Sequence, residues 1–338
     1  VDRPSRAALT EEDFASMSKE AGVGVDASME LLGKLTDEIE KVYVGRRDRV
    51  ELALVALLAG GHLIIEDVPG VGKTVLANTI AAALDCEFRR IQFTPDLLPT
   101  DLLGVNIYDE NERRFVFKRG PLFANIVLAD EINRTTPKTQ SCLLEAMNEY
   151  QITVDGVAHP LPRPFCVLAT QNPFEFEGTY PLPESQLDRF FLRMNLGYPT
   201  TEEGKRIVRD QKVSHPIEDV EPVMRGARMV DLQIAVRDVH VSEEALDYAI
   251  RIVESTRTHD AVVTGVSPRG SVHLYRAAQA LALIRGRTYV EPDDVKELAV
   301  PVLSHRMRFR RSSSGGTSSF EDAARIVREV LNEVPVTL

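Results

Sequence analysis

Residues 62–74 read HLIIEDVPGVGKT. An apolar run, Leu63-Ile64-Ile65, ends in a turn containing Pro69, Gly70 and Gly72, and the turn closes on Lys73-Thr74. Residues 75–84, VLANTIAAAL, combine good helix formers with apolar residues at helical spacing. The order is strand, tight loop, helix. Backbone N–H groups at such a helix start point at an anion, and the helix dipole adds about half a positive charge there. Lys73 is placed to reach the outer phosphates of a nucleotide, and Thr74 to hold a divalent cation through its hydroxyl. The pattern GxxxxGK[ST] asks for glycine where this chain has Asp67, so Pro69-Gly70 must supply the turn. The competing reading is an ordinary strand–helix connection with a chance GKT. The rest of the chain decides between them.

The chain has 338 residues, enough for one large domain and a smaller one. No apolar run approaches the roughly 18–20 residues that span a bilayer. The opening VDRPSRAALTEEDF lacks the apolar stretch of a secretory signal. Cys86, Cys142 and Cys166 show no CxxC spacing and sit in apolar contexts, which points to buried thiols and a reducing, cytoplasmic setting. The histidines form no metal-ligand cluster, which argues against zinc. A net charge of −11 argues against general nucleic-acid binding. The basic runs Arg46-Arg47 and Arg306–Arg311 read as solvated surface, with a subunit interface or phosphate contact as the alternative.

Residues 1–25 lack a clear period and read as a mobile N-terminal segment. An amphipathic helix is expected over 27–41. The stretch VYVGRRDRV that follows carries Val44 and Gly45, either as a plain helix connection or as the lining of an adenine pocket. Residues 48–59 read as an apolar helix. After the first strand come four more apolar runs, at 88–93, 125–131, 165–172 and 189–196, the first few separated by helical patterns. Strands alternating with helices imply a parallel sheet buried on both faces. Two spacers, 104–121 and 150–163, instead alternate around polar turns and read as β-hairpins. After Pro199 the pattern turns helical throughout, with helices at 201–212, 242–257, 268–286, 292–304 and 320–333. Thr200–Glu203 has capping-box spacing, Asp294 and Glu297 read as surface charges, and SSSGGTSS at 312–319 reads as a flexible loop. The domain division is therefore 26–199 for the α/β core and 200–338 for a helical lid.

A second strand-end motif is Ile126-Val127-Leu128-Ala129-Asp130-Glu131. Ligands bind at the carboxyl edge of open α/β sheets. Asp130 is placed there to hold Mg2+, and Glu131 to polarise a water for in-line attack. An acidic turn capping the next helix is the alternative. The fourth run ends in Asn172-Pro173, where Asn172 either orients the attacking water or simply forms the turn. Arg189, in PESQLDRFF, is either a finger on a neighbour's phosphate or half of a surface pair with Asp188. Arg269, in SPRG, opens a helix. A cation there is unfavourable without an anion, so it is either solvated or a phosphate contact from the second domain.

Taken in order, EDVPGVGKT, LADEINR, EAMNEYQITVDG, ATQNP, LPESQLDRF and GVSPRG closely resemble the MoxR family of AAA+ ATPases, over about Val42 to Arg311. The resemblance implies an αβα core with strand order 5-1-4-3-2, hairpin insertions and an all-α lid. It implies ATP and Mg2+, and a ring, usually a hexamer, with the sites between protomers. By resemblance Val44, Gly45, Pro69, Gly70, Val71, Gly72, Lys73, Thr74 and Val75 bind the nucleotide. Thr74 and Asp130 serve the metal, and Glu131, Asn172, Arg189 and Arg269 are catalytic, with Arg134 a weaker interface candidate. It also implies chaperone-like remodelling, maturation or activation of protein complexes, often alongside a von Willebrand factor A domain partner. A DNA-associated AAA+ motor is the alternative function. Tyr108, Phe115 and Phe117 on the first hairpin either grip a client chain or pack within the hairpin.

Overall fold

Five parallel strands carry the core, and each residue's parity along its strand decides which face it serves. The computed structural model describes residues 25–111, 113–173, 178–210, 216–309 and 320–336. The strands β1 (Leu63–Glu66), β2 (Phe88–Gln92), β5 (Ile126–Asp130), β8 (Cys166–Gln171) and β9 (Leu192–Met194) lie in the order β2-β5-β8-β1-β9. Counted along the sheet-forming strands, this is the expected 5-1-4-3-2. Leu63, Ile65, Ile126, Leu128, Cys166 and Leu168 enter one apolar cluster, while Ile64, Val127, Ala129, Val167 and Ala169 enter a second on the opposite face. The near-continuous apolar runs follow from this, because a parallel sheet covered on both faces has no solvent side to pattern.

Both hairpins form. β3 (Gly104–Asp109) pairs antiparallel with β4 (Arg114–Arg119), and β6 (Gln151–Val154) with β7 (Val157–Pro160). The hairpins touch: Asn106 donates its amide to Asp155 at 2.6 Å, and the Phe117 ring stacks on His159 at 4.1 Å. Phe117 therefore packs, but against the second hairpin and Phe123 rather than within its own hairpin. Phe115 and Tyr108 pack edge-to-face on each other, yet stay 71% and 51% exposed.

Beyond Pro199 the helices Thr201–Asp210, Glu243–Thr258, Pro268–Ile284, Pro292–Leu303 and Phe320–Glu333 fall where the periodicity puts them. The capping box at Thr200–Glu203 is made in both directions. Four expectations are corrected here. The region is not purely helical, because Val262–Thr264 pairs antiparallel with Arg308–Phe309; β-branched and aromatic residues suit such a pairing. An additional helix spans Gly226–Ala235. Asp294 is 1% exposed rather than a surface charge, because its carboxylate takes both guanidinium nitrogens of Arg287, at 2.6 and 2.7 Å. The fifth strand is also shorter than 189–196, since residues before Leu192 belong to a turn that anchors just ahead of β1 through the Phe191 N–H and the His62 carbonyl, 2.6 Å. The segment 1–24, the loop 312–319 and residues 211–212 lie outside the described residues.

Candidate nucleotide site

The loop after β1 is shaped by two glycines in the left-handed region, Gly70 at φ +86° and Gly72 at φ +92°. Gly72 is the N-cap of the helix Lys73–Ala83. Val44, Gly45, Gly70, Val71, Gly72 and Val75 line one cleft of about 170 Å³. The family resemblance groups these residues although the loop and the Val44-Gly45 turn are far apart in the chain. Tyr43, which it missed, forms the floor. It is 4% exposed, and burial pushes its hydroxyl up to about 12. A Cβ at Gly45 would meet the Tyr43 ring at 2.7 Å, so glycine there is required by packing. The far wall comes from Leu196 to Pro199 and from Glu203, Ile207 and Asp210, whose spacing puts them on one face of the helix Thr201–Asp210. No sequence signal marks that wall. Its residues are chosen by where the chain turns after β9.

Lys73 stands half-buried beside the loop, and its ammonium donates to the Asp67 carbonyl at 2.8 Å. Burial lowers its pKa, while Asp130, Asp67 and Glu131 act in the opposite direction. Asp130 ends β5 next to β8, so Thr170 donates its hydroxyl to the Asp130 carboxylate at 2.6 Å. The same hydroxyl oxygen accepts the Glu131 N–H at 2.8 Å. Arg90, on the neighbouring β2, reaches the other Asp130 oxygen at 2.5 Å. Glu131 itself sits at φ +57°, a conformation that costs a non-glycine residue about 1 kcal/mol or more. Its carboxylate accepts from Gln92 at 2.6 Å and pairs with Arg134 at 3.2 Å. Arg90, Gln92 and Thr170 were not read from sequence. The alternation of strand residues marks which ones share a face, but not which strand lies next door.

The residues present suit a nucleotide with its cation. A half-buried lysine faces a glycine cradle at a helix start, and a carboxylate pair ends the adjacent strand. Asn172 follows β8 on this same edge, directly after Gln171.

Arg189 and Arg269 do not join this group. Arg189 bonds the Leu144 carbonyl at 3.3 Å. Arg269 lies 3.5 Å from Asp188, whose other oxygen is 3.1 Å from Arg306. These residues lie near the amino edge of the sheet, where Phe191 bonds His62 and Leu63 pairs with Leu192. Arg306 corrects the reading of its run as solvated surface. It is 6% exposed and donates to the Phe190 carbonyl at 2.5 Å. Burial lowers its pKa to about 10, with Asp188 opposing.

Residues 62–192 match the model of the ATPase family associated with various cellular activities (AAA), and residues 254–330 match the AAA lid domain. The chain is 50% identical to YeaC of Bacillus subtilis (strain 168), over 90% of this chain and 95% of that one. It is 42% identical to Chaperone MoxR1 of Mycobacterium tuberculosis, over 84% and 77%. A solved structure of a Cytophaga hutchinsonii protein designated an ATPase shares 36% identity, covers 97% of this chain and 99% of that one, and superposes with a TM-score of 0.84. The chain belongs to the MoxR family of AAA+ ATPases.

Proposed function

We propose that the protein hydrolyses ATP at sites completed between protomers of a ring, and uses the cycle for chaperone-like remodelling of protein complexes. The observation that carries this is the separation of the two halves of the machinery. Lys73, Asp130 and Glu131 lie at the carboxyl edge of the sheet, and Arg189 and Arg269 near its amino edge. The residues of β1 put about 13 Å of strand between the edges. Arginines so placed serve a neighbour's nucleotide better than their own. Arg269 pairs with Asp188, the residue just before Arg189 in the chain.

Within one protomer the glycine loop and Lys73 hold the phosphates, while Tyr43, Val44 and the wall at 196–199 hold the base. Thr74 and Asp130 are the residues to hold Mg2+, which when bound neutralises charge on the phosphates. Glu131 takes the proton of the attacking water, and Asn172 orients that water. A relative named a chaperone supports the remodelling role. The paired hairpins, with Phe115 and Tyr108 exposed at one tip, are the surface for a client chain or for a von Willebrand factor A domain partner.

The test mixes two impaired proteins. Glu131→Gln should bind ATP without hydrolysing it, Lys73→Ala should not bind, and Arg189→Ala should bind but hydrolyse slowly. A mixed ring of Glu131→Gln and Arg189→Ala places an intact Glu131 opposite an intact Arg189. Hydrolysis should reappear on mixing. No recovery at any ratio, in rings shown to exchange protomers, would refute the shared site.

A further inference from the structure

Asp67 replaces the first glycine of the phosphate-loop pattern, and a carboxylate there is a poor neighbour for a polyanion. Its surroundings explain it. One carboxylate oxygen accepts the N–H of Val68 at 2.9 Å, inside the loop. The other accepts two N–H groups from the end of the fifth strand, Leu196 at 2.8 Å and Gly197 at 2.7 Å. Gly197 lies at φ +76°, and this left-handed turn aims successive N–H groups at one oxygen. The Asp67 main chain is engaged as well. Its N–H donates to the Gln171 carbonyl at 3.2 Å, and its carbonyl takes Lys73. One residue thus joins the ends of β1, β8 and β9 at the mouth of the site. The segment it grips, 196–199, is the wall of the base cleft and runs straight into the helix Thr201–Asp210.

We propose that Asp67 is a positioning residue that fastens the phosphate loop to the base-cleft wall, so that phosphate and base are bound by one rigid unit. This rests on the nucleotide reading above. The chemistry requires a carboxylate. Asparagine would turn an N–H₂ donor toward either Val68 or the Leu196 and Gly197 pair, and glycine has no acceptor to offer.

The experiment uses the full chain with Asp67→Asn and Asp67→Gly, the second restoring the residue that the loop pattern asks for. Affinity is read with a fluorescent ADP analogue, turnover with ATP, and contact by hydrogen exchange of the Leu196 and Gly197 amides. Both variants should bind ADP about tenfold more weakly, with the loss in KM rather than in kcat, and both amides should exchange faster than in wild type. The proposal is overturned if affinity stays within about twofold of wild type, if the amides keep their protection, or if kcat falls while KM holds. A wild type that binds no nucleotide would instead remove the nucleotide reading itself, and this proposal with it.

Discussion

The side-chain amide of Gln92 donates to the Glu131 carboxylate at 2.6 Å, across adjacent strands β2 and β5. The bond arises because Gln92 registers against Asp130, the residue just before Glu131. A carboxylate engaged by an amide and by Arg134 must give up one of these partners before it can accept a proton from water. Glu131→Gln is expected to lower hydrolysis at least about a hundredfold with binding retained. Gln92→Ala is expected to raise basal hydrolysis severalfold, again at unchanged nucleotide affinity. A phosphate-release assay beside a binding titration checks both; a slower Gln92→Ala protein would count against the restraint.

Arg90 holds one oxygen of the Asp130 carboxylate and would compete with a cation held there. Exposed pairs of this kind contribute about 0.2–1 kcal/mol. Arg90→Gln should therefore lower the Mg2+ concentration needed for half-maximal nucleotide binding, by about two- to fivefold. A Mg2+ titration of bound nucleotide fluorescence measures this, and an unchanged or raised requirement would contradict it.

The pair of Arg287 with Asp294 is bidentate, and Asp294 also accepts the Glu291 N–H at 2.9 Å, capping its own helix. Removing one partner of a buried pair leaves the other uncompensated, which costs about 3 kcal/mol. Asp294→Ala should lower Tm by roughly 6–12 °C. Glu297→Ala is the control. Its partner Arg285 is partly exposed and keeps Glu51, so the change in Tm should be small.

Two buried histidines, His62 and His305, and the partly buried His273 set an acid limit. Burial pushes His62 down to about 4 and His273 to about 3, and holds His305 well below the usual range. The folded state keeps them neutral, whereas the unfolded chain protonates them near 6.5. Their contribution is thus complete above about pH 6.5 and is lost as pH falls toward the folded values. Each adds up to about 1.4 kcal/mol per pH unit to the slope. Denaturant midpoints should drop between pH 7 and pH 5. His62 accepts the Val167 N–H at 3.0 Å and lies 3.0 Å from the Met147 carbonyl. His62→Asn should be less stable at pH 7 yet show a shallower slope; an equal slope would exclude His62 as a contributor.

The sequence by itself determined most of the elements and put forward the candidate residues of the site. Period-two and period-3.6 patterning placed the strands and most helices, and a strand end followed by Gly-Lys-Thr or Asp-Glu carries its chemistry locally. Those residues sit where neighbouring sequence puts them, so spacing suffices to find them. Tertiary structure alone decided which edge each group occupies. Arg269 opens a helix with no local sign that its partner will be Asp188, and Arg306 sits in a basic run that looks solvated until Phe190 and Asp188 close over it. Asp294 disappears into the lid for the same reason. Asp67 reads as a defect in the loop until β9 arrives to donate two N–H groups. In each case the partner is distant in the chain. Its contact exists only after loop-closure entropy has been met by burying the two apolar faces of the sheet, and no local pattern records it.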